Sequence, residues 1–219
     1  MQAGFLWGRH FLPRSLSDAD IAGFRDRLCD AAEHLFAEHG PDAVTIRQLA
    51  AAVGVSPMTP YRYFKDKGAI LAAVRARGFD RHAEALERAY RAGPTDPSAR
   101  AVAIGAAYVR FALENPEAYK LMFDINQEGA ESYPDLVRAA ERSRATMTAH
   151  LRDLAAAGRL KGDPDLIGHL YWAALHGPLM LQLSGMLGGA FDAPALIAGL
   201  MAALGKTTLI GAGVSVPSR

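Results

Sequence analysis

The chain has 219 residues, enough for one or two domains with a sizeable core. Half of the residues are apolar, aromatics make up 8%, and the net charge is +1, the balance of an ordinary soluble helical protein. The single cysteine, Cys29, excludes an internal disulfide and reads as a small core residue in a reducing compartment, so a cytoplasmic location is expected.

The opening MQAGFLWGRHFLPRSLS contains apolar residues but no continuous apolar run, so no secretory signal is expected. Residues 1–17 read as a flexible lead-in, with Phe5, Trp7 and Phe11 able to fold back onto the body. A first helix is predicted from Ser17 or Asp18 to His39, with Ile21, Phe24, Leu28, Ala32 and Leu35 on one stripe.

Residues 44–67, VTIRQLAAAVGVSPMTPYRYFKDK, are the most informative stretch. Thr45 followed by Gln48 makes a capping box, and Ile46, Leu49, Ala50 and Val53 form one apolar helix face behind it. Gly54 can end that helix in a left-handed conformation. Ser56 is placed to cap a new helix with Pro57 at its first position, which completes a helix-turn-helix whose second helix is built to touch DNA. Ser56 and Thr59 lie in its first turn, Arg62 projects from nearly the face of Thr59, and the Tyr61 and Tyr63 hydroxyls can donate to phosphate oxygens. Pro60 threatens the Ser56 carbonyl, so a distorted or 3₁₀-like first turn is expected. From Arg47 to Arg81 there are seven Lys or Arg (47, 62, 65, 67, 75, 77, 81) against two acids (66, 80), a local excess of +5 read as a footprint for a phosphate backbone.

Asp66 is expected to cap a further helix carrying Ile70, Leu71, Val74 and Phe79 to about Arg91. Gly93-Pro-Thr-Asp-Pro97 is the clearest break, and helices are predicted beyond it at 98–114, 116–127, 134–157, 164–187 and 193–206. Nothing alternates as a sheet would, so the chain is predicted to be all-α. Pro178, which follows Gly177 within the predicted helix 164–187, is expected to kink it and free the carbonyl of Ala174, shaping a pocket or a dimer surface. Between Asp165 and Lys206 the only charged residue is Asp192. The apolar run 166–187 is long enough for a membrane span, but His169, His176, Pro178 and Gln182 interrupt it and no basic flank follows. It therefore reads as a helix buried on more than one side, with association between chains. The final TTLIGAGVSVPSR reads as a loose tail.

The segments Leu28-Cys-Asp-Ala-Ala-Glu-His-Leu-Phe36, Thr45-Ile-Arg-Gln-Leu-Ala50, Val53-Gly-Val-Ser56 and Tyr61-Arg-Tyr-Phe-Lys-Asp-Lys67 resemble the DNA-binding domain of the TetR family of bacterial transcription regulators. The resemblance covers about a quarter of the chain. It implies an N-terminal three-helix DNA-binding domain, here 18–81, and a C-terminal helical ligand-binding and dimerisation domain, here 82–208, with residues 209–219 a flexible terminus. It places Thr45 and Lys67 on phosphates and Arg47, Thr59 and Arg62 nearest the bases. Pro60 stands where the family usually has Leu, and Gly68 replaces the usual acidic residue, which predicts a looser helix start. The implied protein is a homodimer joined through 164–187 and 193–206, more a repressor than an activator, released from a palindromic double-stranded operator by a small apolar or amphipathic effector. Trp172-Ala-Ala-Leu-His176-Gly177 also resembles a signature of one subgroup of C-terminal domains in that family. Candidate pocket walls are Tyr108, Phe111, Leu121, Met122, Phe123, Met147, Leu151, Leu175 and Leu179, with His150, Trp172, His176 and Gln182 as polar fixtures. The alternative for each is an ordinary core or interface residue.

Catalytic patterns fail on spacing. Gly205-Lys206-Thr207 lacks the glycine that a phosphate loop needs at position 200, which is Leu. His169 and His176 have no acidic or cysteine partner at metal-ligand spacing, and Ser184-Gly185 lacks the nucleophile-elbow pattern. No catalytic residue, cofactor, metal or membrane contact is expected. An enzyme or small-molecule-binding module using the C-terminal cavity is the alternative reading.

Overall fold

The computed structural model describes residues 17–124 and 129–210. The lead-in through residue 16, with Phe5, Trp7 and Phe11, and the tail from 211 lie outside the described residues, as do 125–128. Among the described residues the protein is all-α, with eight α-helices, two short 3₁₀ turns and no strand.

Local chemistry sets where the helices begin. α1 (Asp18–His39) starts on a capping box in which Ser17 Oγ accepts from Asp20 N–H and the Asp20 carboxylate accepts from Ser17 N–H. Thr45 and Gln48 do the same for α2 (Ile46–Ala52). Asp66 Oδ1 accepts from Ala69 N–H at 2.8 Å and opens α3 (Lys67–Ala92). The looser start expected from Gly68 is not seen in the Asp66 cap, which is intact, and a Cβ at 68 would sit 2.7 Å from the Tyr133 hydroxyl, which would have to shift to admit it. Asp96, Asp163 and Asp192 cap α4 (Pro97–Glu114), α7 (Pro164–Leu183) and α8 (Ala193–Thr208), each with a proline in the first turn. α5 (Pro116–Met122) and α6 (Pro134–Ala156) complete the set. α5 is shorter than the predicted 116–127, and α7 stops at Leu183 rather than 187.

Two cores are threaded by one helix. The head core gathers Leu28, Ala32 and Phe36 from α1, Leu49 from α2, Phe64, and Ile70 and Val74 from α3. The body core gathers Phe79 and Leu86 from α3 with Ile104, Tyr108, Phe111, Met122, Leu136, Met147, Leu175 and Leu179. At 26 residues α3 is about 39 Å long and passes through both, so the boundary expected at 81/82 falls inside a continuous helix. Arg142 clamps α6 to α3, donating to both Glu87 carboxylate oxygens at 2.9 Å and to Asp80 at 3.0 Å. Arg81 Nη2 pins α3 to α1 by reaching both oxygens of Glu33 at 2.8 Å.

A third, small core of Leu151, Leu154, Leu160 and Ile167 receives Leu209. Here the tail expectation is corrected. Thr207 and Thr208 belong to α8, Leu209 pairs with Leu160, and Ile210 N–H donates to the Arg159 carbonyl. The apolar surface of Leu209 has a place to be buried, which a reading of periodicity alone does not detect. α7 runs through Pro178 without a break, with Pro178 buried. α6 and α7 cross closely at Gly168, where a Cβ would stand 2.8 Å from Thr148 Cγ2 and 3.3 Å from the Met147 carbonyl oxygen. Gly168→Ala is expected to force the helices apart and lower the unfolding free energy by roughly 1–3 kcal/mol. Urea denaturation of the variant measures this, and an unchanged midpoint would mean that the crossing spreads without cost.

Candidate nucleic-acid interface and effector cavity

The α2 end is a Schellman motif: Gly54, at φ +70°, donates to Ala51 O while Val55 N–H reaches back to Ala50 O. That turn delivers residues 56–64 against α1. Pro60 has no N–H for the Ser56 carbonyl, so that carbonyl accepts from Thr59 N–H at 2.9 Å instead. Arg62 N–H then bonds Thr59 O, and Tyr63 N–H bonds Pro60 O. The α-helix expected from Ser56 is therefore corrected to a turn followed by a 3₁₀ turn over Pro60–Arg62, the distortion expected from Pro60.

Thr45, Arg47, Ser56, Tyr61 and Arg62 are exposed, while Thr59 and Tyr63 are half-buried. Ser56 Oγ and Thr59 Oγ1 bond each other at 3.0 Å. Tyr63 stacks on Phe24 with ring centroids 4.2 Å apart, and its carbonyl accepts from Arg25 at 2.7 Å, which fixes the exit of the turn. Lys67 donates to the carbonyls of Pro41 and Asp42 at 2.6 and 3.2 Å, so it braces the α1–α2 turn with two of its three donors. Met58, absent from the expected contacts, is 69% exposed on the same turn.

The basic footprint needs correcting too. Arg75 is buried and donates to the Met122 carbonyl, Arg77 pairs with Asp30 at 2.7 Å, and Arg81 pairs with Glu33. Three of the seven cations thus tie α3 to its neighbours, and the exposed charge of the turn region rests on Arg47, Arg62 and Lys65. Counting charge along the chain cannot separate the inner from the outer face of a long helix.

In the body a cavity of about 330 Å³ opens between α3, α5, α6 and α7. Met122, Phe123 and Met147 of the expected walls line it together with Trp172, expected as a polar fixture, and they are joined by Phe79, His82, Leu136 and Ser143, which were not expected in a pocket. Tyr108, Leu175 and Leu179 are buried behind that wall, and Leu121 belongs to the head core. Phe111 instead reaches a separate open groove between α3 and α4. Leu151 sits in the third core, and Gln182 accepts from Ala193 N–H at 2.7 Å, joining α7 to α8. His150 and His176 do not line the cavity. Burial pushes His150 down to about 4.

His176 closes a buried hydrogen-bond chain. Trp172 Nε1–H can only donate, and it lies 3.0 Å from the Tyr108 oxygen. Tyr108 and Tyr119 hydroxyls are 2.7 Å apart, and Tyr119 is 2.7 Å from His176 Nδ1. The Tyr108 hydroxyl also lies 3.3 Å from Nδ1. Every hydrogen is used only when Nδ1 accepts, and the short contacts are all bridged when Trp172 donates to Tyr108, Tyr108 to Tyr119 and Tyr119 to Nδ1. The His176 proton therefore sits on Nε2, and burial lowers its pKa. Burial likewise raises both tyrosines, so the chain stays neutral. Trp172 and His176 were legible by residue type, whereas Tyr119 gave no signal before the fold placed it.

His82 is fully buried, its Nδ1 2.8 Å from Ser143 Oγ, with its ring edge-on to Tyr108 and Phe111. Burial pushes its pKa down to about 4. Among the described residues its Nε2 has no hydrogen-bond partner. Among the described residues, no group of three or more His, Cys, Asp or Glu is placed to hold a metal ion, and no helix is long and apolar enough to cross a membrane.

Two family models match the chain. Residues 28–74 match the bacterial regulatory proteins of the tetR family, and residues 101–204 match the tetracyclin repressor-like C-terminal domain. An HTH-type transcriptional repressor of Mycobacterium tuberculosis is 33% identical over 73 residues, which is 33% of this chain and 39% of that protein. An uncharacterized HTH-type regulator of the same species is 42% identical over 48 residues, 22% of this chain and 24% of that protein. The chain thus aligns with less than half the length of these curated relatives. A solved structure of a Rhodococcus sp. RHA1 protein of unknown function superposes with a TM-score of 0.74 at 30% identity, covering 90% of this chain and 99% of that one. SmeT, described as the repressor of the Stenotrophomonas maltophilia multidrug efflux pump SmeDEF, shares the fold with a TM-score of 0.66 at 23% identity, covering 89% of this chain and 94% of its own.

Proposed function

We propose a function from one premise: the chain belongs to the TetR family of bacterial transcription regulators. It is a homodimeric repressor that binds a palindromic operator in the cytoplasm and leaves it when a small molecule fills the cavity between α3, α5, α6 and α7. The role of SmeT as repressor of a multidrug pump is in keeping with that reading.

The observation that carries it is α3. Its first residue, Lys67, braces the α1–α2 turn, and Phe79 and His82, about three to four turns on, stand in the cavity wall. α5 makes a second link, because Leu121 packs in the head core while the adjacent Met122 lines the cavity and holds Arg75 of α3 through its carbonyl at 3.3 Å. A ligand that prefers one placement of Met122 and Phe79 thereby prefers one placement of the head, and its release of DNA follows from that difference in affinity. Two heads reading half-sites about 34–36 Å apart, or a multiple of that, would be pulled out of register.

Selection from random duplexes at two salt concentrations tests the reading: an enriched palindrome is the expected result, and binding without enrichment would overturn it. On the selected operator, Arg62→Ala is expected to cost roughly 1–3 kcal/mol and relax the choice of base. Lys67→Ala is expected to weaken every sequence and reduce the slope of log K against log salt by about one. An unchanged slope would mean that the ammonium serves only the Pro41 and Asp42 carbonyls.

A further inference from the structure

Resting on the effector reading above, we propose that the cavity takes an uncharged, ring-bearing molecule of about a dozen non-hydrogen atoms, with one hydroxyl seated on the His82–Ser143 pair. Size comes first. A cavity of about 150 Å³ holds a benzene ring, so the 330 Å³ here fits about two rings.

Shape and polarity follow from the wall. Phe79 and Phe123 meet edge-on with centroids 5.6 Å apart, and Trp172 lies 6.2 Å from Phe123, so flat aromatic surface recurs around the space. Among the described residues the buried polar side chains in the wall are His82 and Ser143. Their mutual bond can run either way. Ser143, at 4% exposure against 0% for His82, is the member that a ligand can reach. If it donates to Nδ1, its oxygen is left to accept; if Nδ1 donates, the Ser143 hydrogen is left to donate. A ligand hydroxyl, both donor and acceptor, suits either state, whereas a carbonyl suits only one.

Charge is excluded at both ends. The imidazole is held neutral by its burial and offers no counterion to a carboxylate. Among the described residues of the lining, Arg144 is outnumbered by Glu131 and Glu141, so an acid turned outward meets net negative charge there.

The probes are biphenyl-4-ol, biphenyl and biphenyl-4-carboxylate, titrated into the full chain carrying Trp7→Phe, so that Trp172 is the single indole. Calorimetry and indole emission should both rank biphenyl-4-ol tightest, about tenfold over biphenyl, with the carboxylate about tenfold or more weaker than the alcohol. Ser143→Ala, or His82→Gln where the first variant folds poorly, should remove the advantage of the alcohol over biphenyl and leave biphenyl itself little changed. Equal or tighter binding of the carboxylate overturns the proposal. So does an advantage of the alcohol that survives both substitutions, or no binding of any of the three up to its solubility. Binding in the expected order without release of operator DNA would instead overturn the repressor reading and leave the ligand class standing.

Discussion

Acidification from pH 7.5 to 4.5 is expected to destabilise the fold by roughly 2–3 kcal/mol through His82 alone. The side chain is fully buried, and burial holds its pKa near 4 against an ordinary 6.5. Well above pH 6.5 the ring is neutral in both folded and unfolded chains, and it contributes no pH dependence. As pH falls through 6.5 the unfolded chain takes up a proton that the folded one refuses, so unfolding gains. The loss grows until about pH 4, where the folded side chain also protonates, and then levels. His150, pushed down to about 4 as well, acts in the same direction and the same window. Glu87, held below its ordinary 4.5 by Arg142, also favours the fold less as pH falls, but its effect begins only near that lower value. The interval from 6.5 to 5 therefore isolates the histidines. Urea midpoints measured across it should fall steeply in the natural chain and markedly less so in His82→Gln. An equal slope in that variant would place the proton uptake elsewhere.

The same residue shows where sequence reading runs out. Thr45, Gln48 and Gly54 announce their helix ends because a cap or a left-handed residue acts within four positions of itself. Pro60 announces its 3₁₀ turn because the missing N–H concerns one carbonyl four residues back. His82 announces nothing. Its partner Ser143 is 61 residues away, and its burial follows from how α3 and α6 are clamped by Arg142. Tyr119 is equally silent until α5 sets it between Tyr108 and His176. Arg75, Arg77 and Arg81 were misjudged for the converse reason: their charge is visible in sequence, but which side of α3 each occupies depends on α1 and α5. The head was legible because its chemistry is local, and the cavity was not because its walls are drawn from four separate helices.

Leu170→Glu is expected to dissociate the proposed dimer and with it nearly all operator binding. Leu166, Leu170 and Leu181 are 60%, 43% and 41% exposed on α7, and together with Ala173 and Gly177 they fall on one stripe of that helix. Beside them α8 exposes Ala195, Ala198, Gly199 and Ala203, with open space where a Cβ on Gly199 would stand. α8 also exposes Leu200, at 42%, among these small residues. Apolar side chains on both helices, with small ones between them on α8, suit close packing against a second copy, and a two-fold axis would bring both copies of Leu170 into the contact. Glutamate there would bury two unpaired carboxylates per dimer, a cost of several kcal/mol, which is about a hundredfold or more in the dimer constant. Half-exposed in the single chain, the same side chain can reach water, so the helical content of the monomer should be unchanged. Val102, 73% exposed on α4, supplies the control, since Val102→Glu adds the same charge on a different element. Sedimentation equilibrium should find Leu170→Glu monomeric and Val102→Glu dimeric, with operator affinity lost in the first and kept in the second. The reverse pattern would move the interface to α4, and the apolar stripe of α7 would then need another partner.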